Sequence, residues 1–293
     1  MQVQSNGISL EVEERGPAGG EPLLLIMGLG MQLTSWPATF VRLLADAGYR
    51  VILFDNRDIG LSEKFEHWGK PDLLSATLLH AMRLKIPAPY HLEDMAADAV
   101  GVLDALGVRR CHVVGASMGG MIAQIVAVRY PERLKTLTLM MTTSGSRRLP
   151  GPTLKARSAL LSAPRNPRDI ESVIDHSVGI LKVIGSPGYP TETADLRARL
   201  GHGIRRSYHP RGMGRQLLAV VAGGDRTPLL SKIRTPTLVI HGRQDPLVPV
   251  ACGVDLARHI RGAQLELIAG MGHDLPEALL PRLTDSITRH AAK

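Results

Sequence analysis

The sequence predicts an α/β fold: a mostly parallel central sheet covered by helices on both faces, with a helical cap inserted between two strands. Three observations lead there. Over residues 8–142 and 235–293, short apolar runs alternate with stretches of helical periodicity, as a parallel sheet requires, because each crossover lays a helix on one of its faces. Residues 144–232 break that rhythm: they are rich in Arg, Pro, Gly and Ser and contain no run that reads as a buried strand. The third is size, since 293 residues of which 44% are hydrophobic suffice for one large core with an insertion. The chain therefore divides into a core, 1–143 and 233–293, and a cap, 144–232.

Taken in order, "ISLEVEE" and "PLLLIMG" read as strands, "ATFVRLLADAG" as a helix and "RVILFD" as the next strand. The stretch 62–92, "SEKFEHWGKPDLLSATLLHAMRLKIPAPYHL", ends in closely spaced prolines and reads as a mobile loop near the strand ends. "EDMAADAVGVLDALG" is a helix, "HVVGA" a buried strand, and "MGGMIAQIVAVRY" a helix stopped by Pro131. After the strand "LKTLTLMM" come the cap helices "DIESVIDHSVGILKVI" and "TADLRARLGHGIRRSY". The core resumes with "TPTLVIHG", "ACGVDLARHI" and "AQLELIAG".

Charge is unevenly placed. The net charge is +8, yet residues 143–233 hold fifteen basic against six acidic side chains, leaving the remainder near neutral. Nucleic-acid binding does not follow, because Tyr189 and Tyr208 are the only aromatics there and base-stacking platforms are missing. The arginines read as a solvated helical surface; the alternative is that they steer an anionic substrate toward the cleft. The longest apolar run, "LLLIMGLGM", falls well short of a membrane span, and the N-terminus has no basic stretch followed by an apolar one. No membrane insertion and a cytoplasmic location are expected. Two cysteines rule out a disulfide scaffold, and Cys111, inside an apolar strand, should be a buried thiol.

Chemistry concentrates in "GASMGG", residues 115–120, where Ser117 falls between a strand and a helix. A serine in so tight a turn presents its hydroxyl at the sheet's edge, beside the free N–H groups of a helix N-terminus. A hydroxyl is a poor nucleophile without a base, and a parallel sheet offers partners at the carboxyl ends of its other strands. "TLVIHGRQDP" puts Asp245 just past one strand, and "LELIAGMGHD" puts His273 just past the next. For Asp245 the competing reading is turn chemistry before Pro246. Asp274 is the weaker acid candidate, and His112 and His241 read as local hydrogen-bonding groups within strands. Oxyanion stabilisation calls for two donors: the backbone N–H of Met118, after the nucleophile, and that of Leu29, in the "MGLGM" loop. Gly28, Met31 and Met121 are expected to line a flexible apolar pocket for small to medium acyl chains.

On "MGLG" (27–30), "DNRDIGLS" (55–62), "GASMGG" (115–120), "GRQDPLVP" (242–249) and "GMGH" (270–273), the sequence resembles the α/β-hydrolase superfamily over nearly its full length. Within it, the chain is most similar to bacterial carboxylesterases related to the aclacinomycin methylesterases. The resemblance implies an α/β-hydrolase fold with a Ser117, Asp245, His273 triad, and hydrolysis of a small-molecule ester by water, with no cofactor and no metal. The same triad serves lactonases, cofactor-free perhydrolases and carbon–carbon bond hydrolases, and a non-catalytic ligand receptor is the remote alternative. Two departures stand out. Asp58 occupies a position where Gly is usual, as it does in those methylesterases, and Met27 stands where relatives often have His, so the oxyanion loop is expected to be held differently. A homodimer through cap helices is allowed.

Overall fold

The computed structural model describes residues 1–292, apart from the side chain of His80. Among the described residues the strands are β1 (Gln2–Ser5), β2 (Ile8–Arg15), β3 (Glu21–Ile26), β4 (Tyr49–Phe54), β5 (Cys111–Ala116), β6 (Leu134–Met140), β7 (Thr237–Gly242) and β8 (Gln264–Ile268). The helices are α1 (Ala38–Asp46), α2 (Leu73–Ala81), α3 (Leu92–Ala105), α4 (Met118–Arg129), α5 (Leu154–Leu161), α6 (Ile170–Ile184), α7 (Thr193–Arg206), α8 (Pro210–Ala222), α9 (Thr227–Leu230), α10 (Val250–His259) and α11 (Leu280–Ala291).

The strands form one sheet in the order β1-β2-β4-β3-β5-β6-β7-β8, parallel from β4 to β8 and antiparallel at β1 and β2. This is the doubly covered sheet expected, with one added strand. β1 pairs with β2 through a two-residue turn, Asn6 (φ 51°) and Gly7 (φ 78°), both left-handed as a type I′ hairpin demands. Side chains of β3 show why the strands read as continuous apolar runs. Leu24 and Ile26 enter the cluster under α3 and α4, whereas Leu23 and Leu25 enter the cluster holding α1 and α11.

The stretch 62–92 differs from the expected loop, because α2 forms within it. Asp72 accepts a hydrogen bond from the Ser75 N–H at the helix start, and Ala76 and Leu79 pack with Leu218 and Val221 of α8. Leu74 and Leu78 remain exposed. No helix among the described residues is long and apolar enough to cross a membrane.

Between β6 and β7, residues 141–236 carry α5 to α9 and no strand. Five of the arginines there are paired with carboxylates: Arg197 and Arg205 pair with Glu171, Arg211 with Glu66, Arg206 with Asp55 and Arg215 with Asp58. The last two pairs tie this segment to the loop after β4. Arg215, 1% exposed, forks onto Asp58 through two 2.7 Å hydrogen bonds, and Asp58 also accepts from the Tyr90 hydroxyl and the Phe65 N–H, both at 2.9 Å. These bonds compensate for a backbone that an aspartate rarely adopts, φ 73°. Burial by itself would raise the Asp58 pKa; the Arg215, Phe65 and Tyr90 bonds outweigh it and hold the carboxyl below its ordinary value of 3.8.

Breaking a buried pair by removing one partner strands the other charge. Arg215→Met is therefore expected to destabilise the fold by about 3–5 kcal/mol, while Asp58→Gly with Arg215→Met recovers most of the loss by removing both charges and the left-handed aspartate. Equal denaturation midpoints for the single and double variants would sink this account. Because the folded-state pKa of Asp58 is lowered, its contribution is complete above the unfolded value. It fades as pH falls through the folded one.

Candidate active site

Ser117 follows β5 directly and stands at the N-terminus of α4 with φ 54° and ψ −119°, a conformation that costs a non-glycine residue on the order of 1–3 kcal/mol. The surroundings overdetermine it. Its N–H donates to Met140 O (3.0 Å), and its carbonyl accepts from the Gly120 and Met121 N–H groups (2.9 and 3.2 Å) and from Thr142 Oγ1 (2.6 Å). The turn closes only because α4 can ride against β3: a Cβ on Gly119 would lie 1.9 Å from the Ile26 carbonyl oxygen.

Facing Ser117 is the Gly28–Met31 turn, closed by a Met31 N–H to Gly28 O bond of 3.3 Å. Gly30, its third residue, has φ 69° while Leu29 does not enter the left-handed region, which makes this a type II turn. A Cβ on Gly28 would lie 3.2 Å from that of Ser117, so the turn and the serine touch. The Leu29 and Met118 N–H groups have no hydrogen-bond partner among the described residues, leaving two free backbone donors, one on the residue after Ser117 and one on the residue after Gly28.

The other two residues arrive from the carboxyl ends of β7 and β8. His273 accepts at Nε2 from Ser117 Oγ (3.1 Å) and donates from Nδ1 to Asp245 Oδ2 (2.7 Å); the tautomer follows from the carboxylate, which can only accept. Asp245 Oδ1 accepts from the N–H groups of Leu247 (2.9 Å) and Val248 (2.8 Å). Both readings of Asp245 thus hold together: one oxygen ties the turn around Pro246, and the other orients the imidazole. His241 lies behind this carboxylate, fully buried, and donates from Nε2 to Val248 O at 2.7 Å. Burial depresses its pKa and keeps it neutral. Asp274 is turned away, onto the Ser186 hydroxyl, and His112 bonds Thr136 within the sheet.

Gly28 is at the serine, and Met31 is half-buried against the cluster of α1 and α11. Met118 and Met121 are buried in the other cluster; of the three residues expected at the pocket, Gly28 lies against the Ser117 side chain and Met121 touches the serine through its backbone N–H. Sequence reasoning missed the side chains that hold the loops. Asn56 donates to Met27 O (3.0 Å), Asp55 accepts from the Leu33 N–H (2.7 Å), and Gln216 of α8 accepts from the Gly30 N–H (2.9 Å). On the other side the His273 N–H donates to Ile184 O at the end of α6 (2.7 Å), and the Gly272 N–H to Ser186 Oγ (2.9 Å). Partners separated by 22 to 186 residues leave no local pattern, although "DNRD" after a strand marked the loop that supplies two of them.

A hydroxyl on an imidazole backed by a carboxylate, beside two unpartnered N–H donors, can attack a carbonyl carbon and hold the resulting oxyanion. Residues 21–167 match the family of the alpha/beta hydrolase fold. Over 98% of its length the sequence is 30% identical to rhodomycin D methylesterase from Streptomyces peucetius, covering 96% of that protein.

The chain belongs to the α/β-hydrolase family.

Other family members are comparably similar. A 2-hydroxy-6-oxononadienedioate/2-hydroxy-6-oxononatrienedioate hydrolase from Burkholderia vietnamiensis is 32% identical over 93% of the chain and 88% of its own length. Among solved structures, a meta-cleavage product hydrolase from Pseudomonas fluorescens superposes with a TM-score of 0.76 at 20% identity, covering 99% of this chain and 96% of that one. At that identity the likeness shows the α/β-hydrolase fold alone. The relatives therefore include both methylesterases and hydrolases of dienedioates.

Proposed function

We propose that this α/β-hydrolase is a serine carboxylesterase that cleaves carboxylic esters of small to medium acyl chains through an acyl-enzyme at Ser117. The observation that carries the reading is the continuous chain Ser117 Oγ, His273 Nε2, His273 Nδ1, Asp245 Oδ2, at 3.1 and 2.7 Å, starting from a strained serine beside free backbone donors. His273 takes the hydroxyl proton as Oγ bonds to the ester carbonyl carbon. The Leu29 and Met118 N–H groups hold the oxyanion, and the alcohol departs with the proton from Nε2. Water then attacks the acyl-enzyme, His273 again accepting a proton and returning it to Ser117. Asp245 balances the imidazolium and fixes its tautomer. The residues between β6 and β7 act as a cap, since α6 and α8 hold the His273 loop and the Gly28–Met31 turn.

Similarity to a rhodomycin D methylesterase favours an ester with a small alcohol, and the dienedioate hydrolases supply a specific second reading, carbon–carbon cleavage with the same residues. Turnover of p-nitrophenyl acetate, butyrate, octanoate and palmitate, run beside a 2-hydroxy-6-oxodienedioate, separates the two. A maximum at short or medium acyl chains, with mass spectrometry trapping the acyl group on Ser117, is expected. Consumption of the dienedioate with every ester untouched would replace the first reading by the second.

A further inference from the structure

We propose that Gln216 is a positioning residue for the oxyanion turn, so that α8 sets the turnover of the site by acting through Leu29. The proposal rests on the acyl-enzyme reading, in which the Leu29 N–H is one of the two oxyanion donors.

Gln216 is fully buried, and its amide is used at both ends: Oε1 accepts from the Gly30 N–H and Nε2 donates to the Arg57 carbonyl, each at 2.9 Å. The second bond decides which end of the amide faces the turn. α8 itself is fixed by the neighbouring Arg215 fork on Asp58. One helical turn earlier, Met213 backs onto Gly30, where a Cβ would lie 2.8 Å from Met213 Cγ. Two residues three apart on one helix face therefore grip the same glycine.

That grip matters because of the turn type. Types I and II differ by rotation of the central peptide, here Leu29–Gly30, and glycine at the third position permits either state. The Gly28 O to Met31 N–H bond closes the turn without specifying the state of the central peptide. The Gln216 bond does specify it, since it captures the N–H of that peptide. Rotation would break the bond and leave a buried amide oxygen unsatisfied. Oxyanion donors act by being in place before charge develops; the Leu29 N–H lies on the preceding Gly28–Leu29 peptide, so Gln216 acts on it by anchoring the adjoining Gly30, and a turn freed of that anchor shifts its backbone and lowers the fraction of molecules ready for chemistry. Ester binding is affected much less.

The experiment compares Gln216→Met, which keeps the shape and loses the acceptor, with Gln216→Glu, which keeps an acceptor for Gly30 and loses the donor to Arg57. Steady-state kinetics on p-nitrophenyl butyrate are expected to show kcat reduced about tenfold or more for Gln216→Met, with KM within about twofold, and most of kcat restored in Gln216→Glu. The rate of Ser117 phosphonylation by a fluorophosphonate should follow kcat. Thermal melts on the same samples separate this from folding: a structural role alone would scale activity with the folded fraction in both variants. Should Gln216→Met fail to fold, Gln216→Asn, one methylene too short to bridge Gly30 and Arg57, takes its place with the same expectation. Wild-type kcat in the acceptor-free variant, or equal losses in the acceptor-free and Glu variants, overturns the proposal. Ser117→Ala in the same assays identifies the other failure: if it still turns over the ester and wild type takes no phosphonyl group at Ser117, the acyl-enzyme reading falls, and the positioning role with it.

Discussion

Ser117→Ala is expected to lower ester turnover by about a million-fold while the protein stays folded. Its side chain makes no capping bond to α4, and its hydrogen bond to His273 is the side-chain interaction that the substitution removes. The backbone bonds that hold the turn all survive, as does the contact with Thr142. Alanine has the same left-handed strain as serine, so stability should change little. On the proposed mechanism, what disappears is the atom that becomes covalently bound, after which His273 and Asp245 have nothing to activate. The backbone donors and any binding would still leave on the order of a thousand-fold acceleration over water. Measured kcat with p-nitrophenyl butyrate, beside a thermal melt, checks both halves. A folded variant retaining even a hundredth of wild-type turnover would rule out Ser117 as nucleophile.

Asp245→Asn should reduce kcat by about ten-thousand-fold, for a reason visible in its hydrogen bonds. Oδ1 accepts from two backbone N–H groups, Leu247 and Val248. An asparagine must leave its oxygen there, because two donors cannot face an NH2 group, and so its NH2 turns toward His273. The imidazole then has to offer a lone pair at Nδ1, which moves its proton to Nε2. A protonated Nε2 cannot accept from Ser117, and the base is lost without any shift in geometry. Since the defect is one of protonation, turnover should recover in part at high pH, where hydroxide can take over as base. An unchanged kcat at neutral pH would show that Asp245 serves the Pro246 turn alone.

Much of this was legible in the linear chain because the relevant signals are local. Ser117 between glycines, and Asp245 and His273 just beyond apolar runs, each declare a strand end, and a parallel sheet aligns strand ends by construction. The β1 strand was missed although "SNGIS" contained its hairpin: an Asn-Gly pair satisfying two left-handed positions is a strong local signal. α2 was obscured by the prolines after it, since its apolar residues partly face solvent and give little periodicity. The Arg-rich segment read as surface, but Arg215 is buried and Arg206 nearly so. Charge counts cannot reveal pairing between residues 58 and 215, which only the folded chain brings together. The loop carrying Met27 is held by side chains that come from elsewhere in the chain, Asn56, Asp55 and Gln216.

The Asp58–Arg215 fork also constrains how the gene can drift. Each codon changed alone passes through an intermediate that buries a lone ion, carboxylate or guanidinium, whereas the joint exchange is tolerable. Mutational paths through this pair are therefore rugged and order-dependent. A lineage acquiring glycine at 58 is under immediate pressure to lose arginine at 215, so the two columns should co-vary across homologues. The same epistasis makes the helical segment hard to graft: a donor α8 brings its arginine into a core lacking the acid, or its apolar residue onto a stranded Asp58. Recombination would have to inherit the β4 loop and α8 as one unit, although 157 residues separate them in the chain.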